Sequence, residues 1–431
     1  MKVLNKMSPA RIIALCFLGL ILLGALLLCL PIAHNPGRTV APLDALFTST
    51  SAVCVTGLVV TDTADTFNLF GRTVILILIQ AGGFGVATLG VGITVLARRR
   101  VGLKERRLVK EALNVSTYAG IVKLIRMALL LTVCVEGIGA ILSFCVFSRS
   151  MPLWKAVGMS IFHAVSAFNN AGFDLMGGCR SLMDYADSVA LNLITCLLIV
   201  LGGLGYLVIW DVLDKHSFRK LSLQSKAVLT VTGALLVLGT LALKLSEREW
   251  TWLNAFFYSV SARTAGFATA DLGTMSQAGL LVMCLLMFVG ASPGSTGGGV
   301  KTTTLFALLI ALRTTATNTR REAFKRRISD EVVSKAFTVA GMGILVVLVV
   351  TLLLALLEPQ FSLGQLLFEA VSAFATVGLS AGVTQGLCMA SRLILILTMF
   401  IGRLGPLTAA TLLIYKNTSS VRYTEEDLTI G

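Results

Sequence analysis

Four strings, Phe47-TSTSAVCVT-Gly57-Leu58, Phe162-HAVSAFNNA-Gly172-Phe173, Phe256-FYSVSARTA-Gly266-Phe267 and Phe368-EAVSAFATV-Gly378-Leu379, align without gaps on one glycine. Each carries Phe ten residues before the glycine, Leu or Phe after it, and Ser and Ala between. The strings follow or end short semi-apolar stretches, roughly 43–53, 156–168, 252–262 and 364–374, too short to cross a bilayer. Long apolar segments flank them at approximately 12–32, 70–97, 119–147, 187–210, 227–245, 278–312, 336–357 and 391–415. One unit, a span, a re-entrant loop and a second span, therefore occurs four times. The expected fold is an all-α polytopic membrane protein: four M1–P-loop–M2 repeats, eight spanning helices and four re-entrant pore loops around a pseudo-fourfold axis.

Composition agrees. Of 431 residues, 56% are hydrophobic and only 13% charged, whereas a soluble domain carries about 25% charged residues. The net charge of +14 could suggest nucleic acid, but no stacking aromatics cluster beside the basic residues, and none is expected as a partner. Lys and Arg concentrate instead in alternate loops: Arg98, Arg99, Arg100, Lys104, Arg106, Arg107 and Lys110; Lys215, Arg219, Lys220 and Lys226; and Arg313, Arg320, Arg321, Lys325, Arg326, Arg327 and Lys335. The positive-inside rule puts these loops and both termini in the cytoplasm of a multi-pass cell-membrane protein. Topology alone explains the basic loops; a cytoplasmic partner or anionic membrane lipid is the other reading. The expected organisation is repeat 1 over 1–97, a basic loop 98–118, repeat 2 over 119–210, a basic loop 211–226, repeat 3 over 227–312, a basic loop 313–335, repeat 4 over 336–416 and a cytoplasmic tail 417–431. The basic N-terminus and the apolar run 12–32 resemble a signal peptide, but the run is too long and lacks an A-x-A-like site. Nine cysteines without a CxxC pair argue against a disulfide framework. His34, His163 and His216 are too scattered for zinc.

A dehydrated cation in a membrane needs substitute oxygens, which rings of backbone carbonyls supply. Glycine lets extended backbone aim carbonyls at one axis. The residues before the four glycines vary, as CVTGL, NNAGF, RTAGF and ATVGL, so the backbone is what the strings share. Simple turns at hairpin tips are the plainer alternative, but would not need the shared Phe and Ser/Ala pattern.

In the sixth apolar segment, helix-breaking Gly290-Ala-Ser-Pro-Gly-Ser-Thr-Gly-Gly-Gly-Val-Lys301-Thr302 lies at the expected membrane centre. Irregular backbone there must be buried or line a watery cavity. An intramembrane loop over 290–304 that obstructs or opens the path is one reading, and a packing kink the other. The run nearly spells a Walker A motif, but Val300 occupies the lysine position and no strand precedes it. Milder clusters, Gly82-Gly83-Phe84-Gly85, Gly202-Gly203-Leu204-Gly205 and Gly402-Arg403-Leu404-Gly405, suit close helix packing. These second spans are expected to be unbroken, and a break in one unit alone argues against inverted repeats. Arg403 and Lys301 are charges within spans, so each is a functional candidate or half of a buried salt bridge. Glu136 and Glu369 are expected to be structural, pairing with a buried arginine such as Arg263. His163 is read as structural.

These motifs together resemble the membrane subunit of Ktr potassium-uptake systems, within the Trk/Ktr/HKT superfamily, over nearly the whole chain. The single span before the first re-entrant loop favours the Ktr type over Trk. The resemblance implies potassium uptake through a central pore. Its selectivity filter would be Val55, Thr56 and Gly57; Asn170, Ala171 and Gly172; Thr264, Ala265 and Gly266; and Thr376, Val377 and Gly378, holding potassium by their backbone carbonyls. Gly57, where a serine goes with sodium preference in HKT relatives, favours potassium. The gate would comprise Gly290, Ala291, Ser292, Pro293, Gly294, Ser295, Thr296, Gly297, Gly298, Gly299 and Lys301, with Arg403 beside it. It also implies a homodimer on a cytoplasmic ring of nucleotide-binding regulatory subunits, no covalent cofactor and a possible sodium dependence. The alternatives are an alternating-access secondary cation transporter and a less selective potassium/sodium pathway. An enzyme is not expected, because no nucleophile, paired carboxylate or metal cluster is assembled in the sequence.

Overall fold

The computed structural model describes residues 7–96, 102–112 and 120–413. Arg98, Arg99, Arg100 and the expected tail 417–431 lie outside them. The described chain is helical apart from one two-stranded hairpin.

Each quarter begins with a long helix. α1 (Pro9–Cys29) starts on Ser8, whose hydroxyl accepts the Arg11 N–H, with Pro9 in its first turn. α2 (Pro42–Cys54) is the first short helix. The single-turn α3 (Thr63–Thr66) leads to α4 (Leu69–Phe84), α5 (Val86–Leu96) and α6 (Leu103–Ala112). The second quarter has α7 (Ile121–Phe147), the short α8 (Leu153–Phe168), α9 (Val189–Leu204) and α10 (Tyr206–Lys215). The third has α11 (Leu223–Ser246), the short α12 (Trp252–Ser261), α13 (Gln277–Phe288) and α14 (Thr302–Thr317). β1 (Glu322–Ala323) and β2 (Arg326–Arg327) then pair antiparallel. The last has α15 (Asp330–Leu357), the short α16 (Leu363–Ala375), α17 (Met389–Leu404) and α18 (Pro406–Leu413).

Among the described residues, four helices, α1, α7, α11 and α15, are single pieces long and apolar enough to cross a membrane. The expectation of unbroken second spans in three units is corrected: in every quarter the second span is in two pieces. Gly85, Gly205 and Gly405 interrupt three of them at φ +75°, +87° and +87°, backbone that a side chain resists. The pieces α9 and α10 bend by 94°. The third quarter has a non-helical loop, residues 289–301, in place of one glycine. Helix resumes at Thr302, so the expected 290–304 stretch runs into α14 at its end.

The molecule is apolar outside, and its apolar core also buries a set of hydroxyls. Leu26, Leu130, Leu345 and Leu356 on the long helices face outward, as suits lipid contact. Inside, Thr48, Ser49, Ser166, Ser259, Ser261 and Ser372 are completely buried. Buried hydroxyls need partners: Ser49 donates to the Ile21 carbonyl at 2.7 Å and Ser259 to that of Leu236 at 3.0 Å, tying short helices α2 and α12 to long helices α1 and α11.

Candidate functional site: a glycine ring above an intramembrane loop

Each short helix ends the same way. Two residues before each glycine, Val55, Asn170, Thr264 and Thr376 turn left-handed, at φ +56°, +58°, +66° and +53°. The backbone N–H of the next residue, Thr56, Ala171, Ala265 or Val377, donates to the carbonyl of Ser51, Ser166, Ser261 or Ser372, at 2.8, 2.8, 3.0 and 2.8 Å. The same serines use their hydroxyls to pin the turn. Ser51 and Ser372 accept the N–H groups of Gly57 and Gly378 at 3.0 and 3.1 Å. Ser166 and Ser261 donate to the carbonyls of Phe173 and Phe267 at 2.7 and 2.6 Å. The Ser/Ala pattern of the four strings thus has a mechanical reason: serine secures the turn and alanine lets the helix end lie deep in the core.

The four turns close into a ring. A Cβ placed on Gly57 would lie 2.5 Å from the Ala171 carbonyl oxygen, one on Gly172 2.7 Å from that of Ala265, and one on Gly266 2.5 Å from that of Val377. One on Gly378 would strike the carbonyl oxygen of Thr56, completing the circuit. The quarters follow one another around the ring in chain order. Their glycines are at φ +94°, +68°, +80° and +93°, so both conformation and space exclude a side chain. The carboxyl ends of all four short helices approach the ring, and such ends carry partial negative charge that favours cations. The second spans come equally close: Cβ atoms on Gly82, Gly202 and Gly402 would strike the carbonyl oxygens of Val53, Phe168 and Phe374.

On one side the ring opens into a vestibule of about 370 Å³ lined by all four glycines and by Asp62, Asp174 and Asp271 among others. Burial pushes the Asp174 carboxyl up to about 6. Its Oδ1 accepts the Met176 N–H at 2.9 Å.

On the other side is the loop 289–301. Its two ends pair as a parallel bridge, Val289 with Val300, and the Gly290 N–H donates to the Val300 carbonyl at 2.9 Å. The break at Gly205 frees carbonyls at the end of α9, and the loop uses them: Ser292 N–H donates to Gly203 O at 3.0 Å and Thr296 N–H to Gly202 O at 3.4 Å. The Tyr206 N–H donates to Gly294 O at 3.2 Å. Against the ring, the Gly298 N–H donates to Thr376 Oγ1 at 3.1 Å, and Gly297 has no room for a Cβ beside Thr264 Oγ1.

Two cations hold the loop. Lys301 Nζ donates to Gly297 O at 2.6 Å. Arg403, from α17, donates to Thr296 O and to Gly82 O. The sequence reads Arg403 as a functional candidate or half of a buried salt bridge; the partners it meets are backbone carbonyls.

The expected pairing of Glu136 or Glu369 with Arg263 is corrected. Glu136 lies against Asn169 Nδ2 at 2.9 Å and Gln80 Nε2 at 3.4 Å, and Asn169 also donates to Gln80 Oε1 at 2.8 Å. Glu369 accepts from Ser380 Oγ and from Thr384 Oγ1 at 3.0 Å. Both carboxylates are satisfied by neutral donors close in the fold, which satisfy a buried carboxylate without burying a second charge. His163 bonds Thr195 Oγ1 at 3.0 Å and meets the edges of Phe147 and Phe267. The Gln80–Glu136–Asn169 cluster and the helix breaks were not anticipated. Gly-x-x-Gly recurs at Gly82–Gly85, Gly202–Gly205 and Gly402–Gly405, a pattern that close helix packing alone also explains.

A mostly helical molecule, apolar outside, whose interior holds a ring of close carbonyls beside a non-helical loop has the make-up of a membrane transport protein. The chain belongs to the TrkH family of cation transport proteins, whose model matches residues 11–232 and 221–423, and it is a transporter rather than an enzyme. It is 38% identical to the potassium/sodium uptake protein NtpJ of Enterococcus hirae over 100% of this chain and 99% of that one. It is 36% identical to the Ktr system potassium uptake protein B of Bacillus subtilis over 99% and 97% of the two chains, and 36% identical to the protein of that name from Vibrio alginolyticus over 99% and 96%. The crystal structure of the potassium transporter TrkH from Vibrio parahaemolyticus shares the fold, at TM-score 0.74 and 19% identity over 95% of this chain and 86% of that one.

Proposed function

We propose that this chain takes up potassium across the cell membrane through the centre of the glycine ring. The observation that carries the reading is the ring itself, in which each glycine faces the carbonyl preceding the next quarter's glycine. Such carbonyls can replace the water of a cation, and relatives at 38% and 36% identity are named as potassium/sodium and potassium uptake proteins. In this reading Val55, Thr56, Gly57 and their nine counterparts form the selectivity filter, residues 290–299 with Lys301 form the gate, and Arg403 holds the gate shut.

Acidic residues of the vestibule gather cations at the mouth. The basic loops and both termini face the cytoplasm. Two copies pair and sit on a cytoplasmic nucleotide-binding regulatory ring, consistent with relatives named as components of Ktr systems. Sodium is a second cation of the cycle, in line with the potassium/sodium name of one relative. Alternating access by inverted repeats is disfavoured by the chain-order succession of quarters, although all four second spans are broken.

The test is tracer flux into proteoliposomes, comparing potassium, rubidium, sodium and lithium gradients. Potassium and rubidium entry well above sodium supports the filter. Equal entry of all four removes selectivity but keeps the pore, and no flux with or without a regulatory ring sinks the reading.

A further inference from the structure

Glu369 stands one residue after the Phe that opens the fourth string, where the other three strings carry Thr48, His163 and Phe257. One quarter of the ring therefore has a carboxylate behind it and three do not. The side chain, on α16, is completely buried. It reaches the segment that leaves the ring after Gly378. Ser380 Oγ donates to its Oε1, and Thr384 Oγ1 donates to its Oε2 at 3.0 Å. The backbone amides of Ala381 and Val383 lie against it as well. An ionised carboxylate offers about four lone-pair sites, and these donors fill them.

The same segment is a wall of the vestibule, through Leu379, Ser380, Gly382 and Thr384. A hydroxyl has one proton and two lone pairs. Ser380 directs its proton to Glu369. Thr384 keeps its own inside the cluster too, since its other neighbour is Ser380 Oγ at 2.9 Å. Ser380 Oγ also accepts the Gly382 N–H at 3.1 Å. No hydroxyl proton of the pair remains to point into the vestibule, so Ser380 and Thr384 present only oxygen to what passes.

We propose that Glu369 is a positioning residue for cation entry: by taking the protons of Ser380 and Thr384, it makes this wall of the vestibule an acceptor surface for a cation or its water, just outside the glycine ring. The buried charge adds an attraction of its own. An amide in its place would donate to one of the hydroxyls and turn a proton outward. The inference rests on potassium entering through the vestibule. It concerns how strongly the mouth holds the ion, not how fast the ring passes it.

The test is the concentration dependence of rubidium entry into proteoliposomes, for the wild-type protein and Glu369→Gln. The expected result is a KM raised roughly fivefold, the size of effect one hydrogen bond has, with the maximal rate and the unfolding temperature unchanged. A lowered maximal rate or unfolding temperature at unaltered KM marks a merely structural residue and overturns the proposal. Should Glu369→Gln not fold, Ser380→Ala and Thr384→Val serve. Each keeps the charge and removes one oxygen, so each raises KM; a wild-type KM in both overturns the proposal. No rubidium entry by the wild-type protein, with or without a regulatory ring, sinks the pore reading and this inference with it, whereas an unaltered KM in the variants sinks this inference alone.

Discussion

A methyl group at Gly378 would press on the Thr56 carbonyl oxygen, and its φ of +93° resists any side chain. Left-handed backbone costs an ordinary residue roughly 1–2 kcal/mol, and each 1.4 kcal/mol is about tenfold. Gly378→Ala should therefore cut rubidium uptake into proteoliposomes about tenfold or more, with weaker preference over sodium. Unchanged uptake and preference would show that the ring is not the filter. In the vestibule, Asp174 titrates near 6 because burial disfavours its charge. It is ionised above that pH and becomes neutral as pH falls through it. Uptake from dilute potassium should decline as the outside is taken from pH 7.5 to 5.5, and the decline should shrink in Asp174→Asn. An identical pH profile in that variant would remove Asp174 from the mouth.

Among the elements, the loop 289–301 is held at both faces by unlike contacts. Above it, Thr376 accepts one N–H; beside it, the carbonyls of Gly202 and Gly203 accept two; across from it, Arg403 ties Thr296 to Gly82. Hydrogen bonds to charged groups contribute about 1.5–3 kcal/mol. Arg403→Gln should thus raise the flux of protein without a regulatory partner by roughly tenfold, since removing one such bond shifts a closed–open balance by that factor. A flux equal to wild type, with the variant folded, would show that Arg403 does not hold the passage shut. The break in this element was legible in Gly290–Gly299, because so many glycines and a proline cannot stay helical. The single-glycine breaks at Gly85, Gly205 and Gly405 were not. One glycine in an apolar helix costs only about 1 kcal/mol and is ordinarily tolerated. What meets the freed carbonyls at two of these breaks is tertiary: the loop bonds those of α9, and Arg403 takes that of Gly82. The fate of Arg263 was hidden for a related reason. Sequence places charges in spans but not which of them meet, and here both carboxylates found neutral donors.

For the whole molecule, hydropathy and charge carried the fold class, because lipid outside and backbone satisfaction inside leave few architectures. The four aligned strings carried the quarters, since each fixes one turn with its own serine. The order of those quarters around the axis needed coordinates. That order now makes a claim about sidedness: the vestibule and the hairpin of β1 and β2 should face opposite compartments. The vestibule lies on the glycine side of the ring. The hairpin follows α14, which leaves the loop on the other side, and the segment around the hairpin carries Arg320, Arg321, Lys325, Arg326 and Arg327. Positive charge stays in the cytoplasm, so a cysteine replacing exposed Lys325 should react with a membrane-impermeant maleimide only after cells are opened. A cysteine at Asp187, in the segment between the ring and α9, should react in intact cells. The background is a chain with its nine native cysteines replaced, because several of them are exposed. Labelling of both positions from one side would overturn the topology, and with it the assignment of the vestibule as the mouth through which potassium enters.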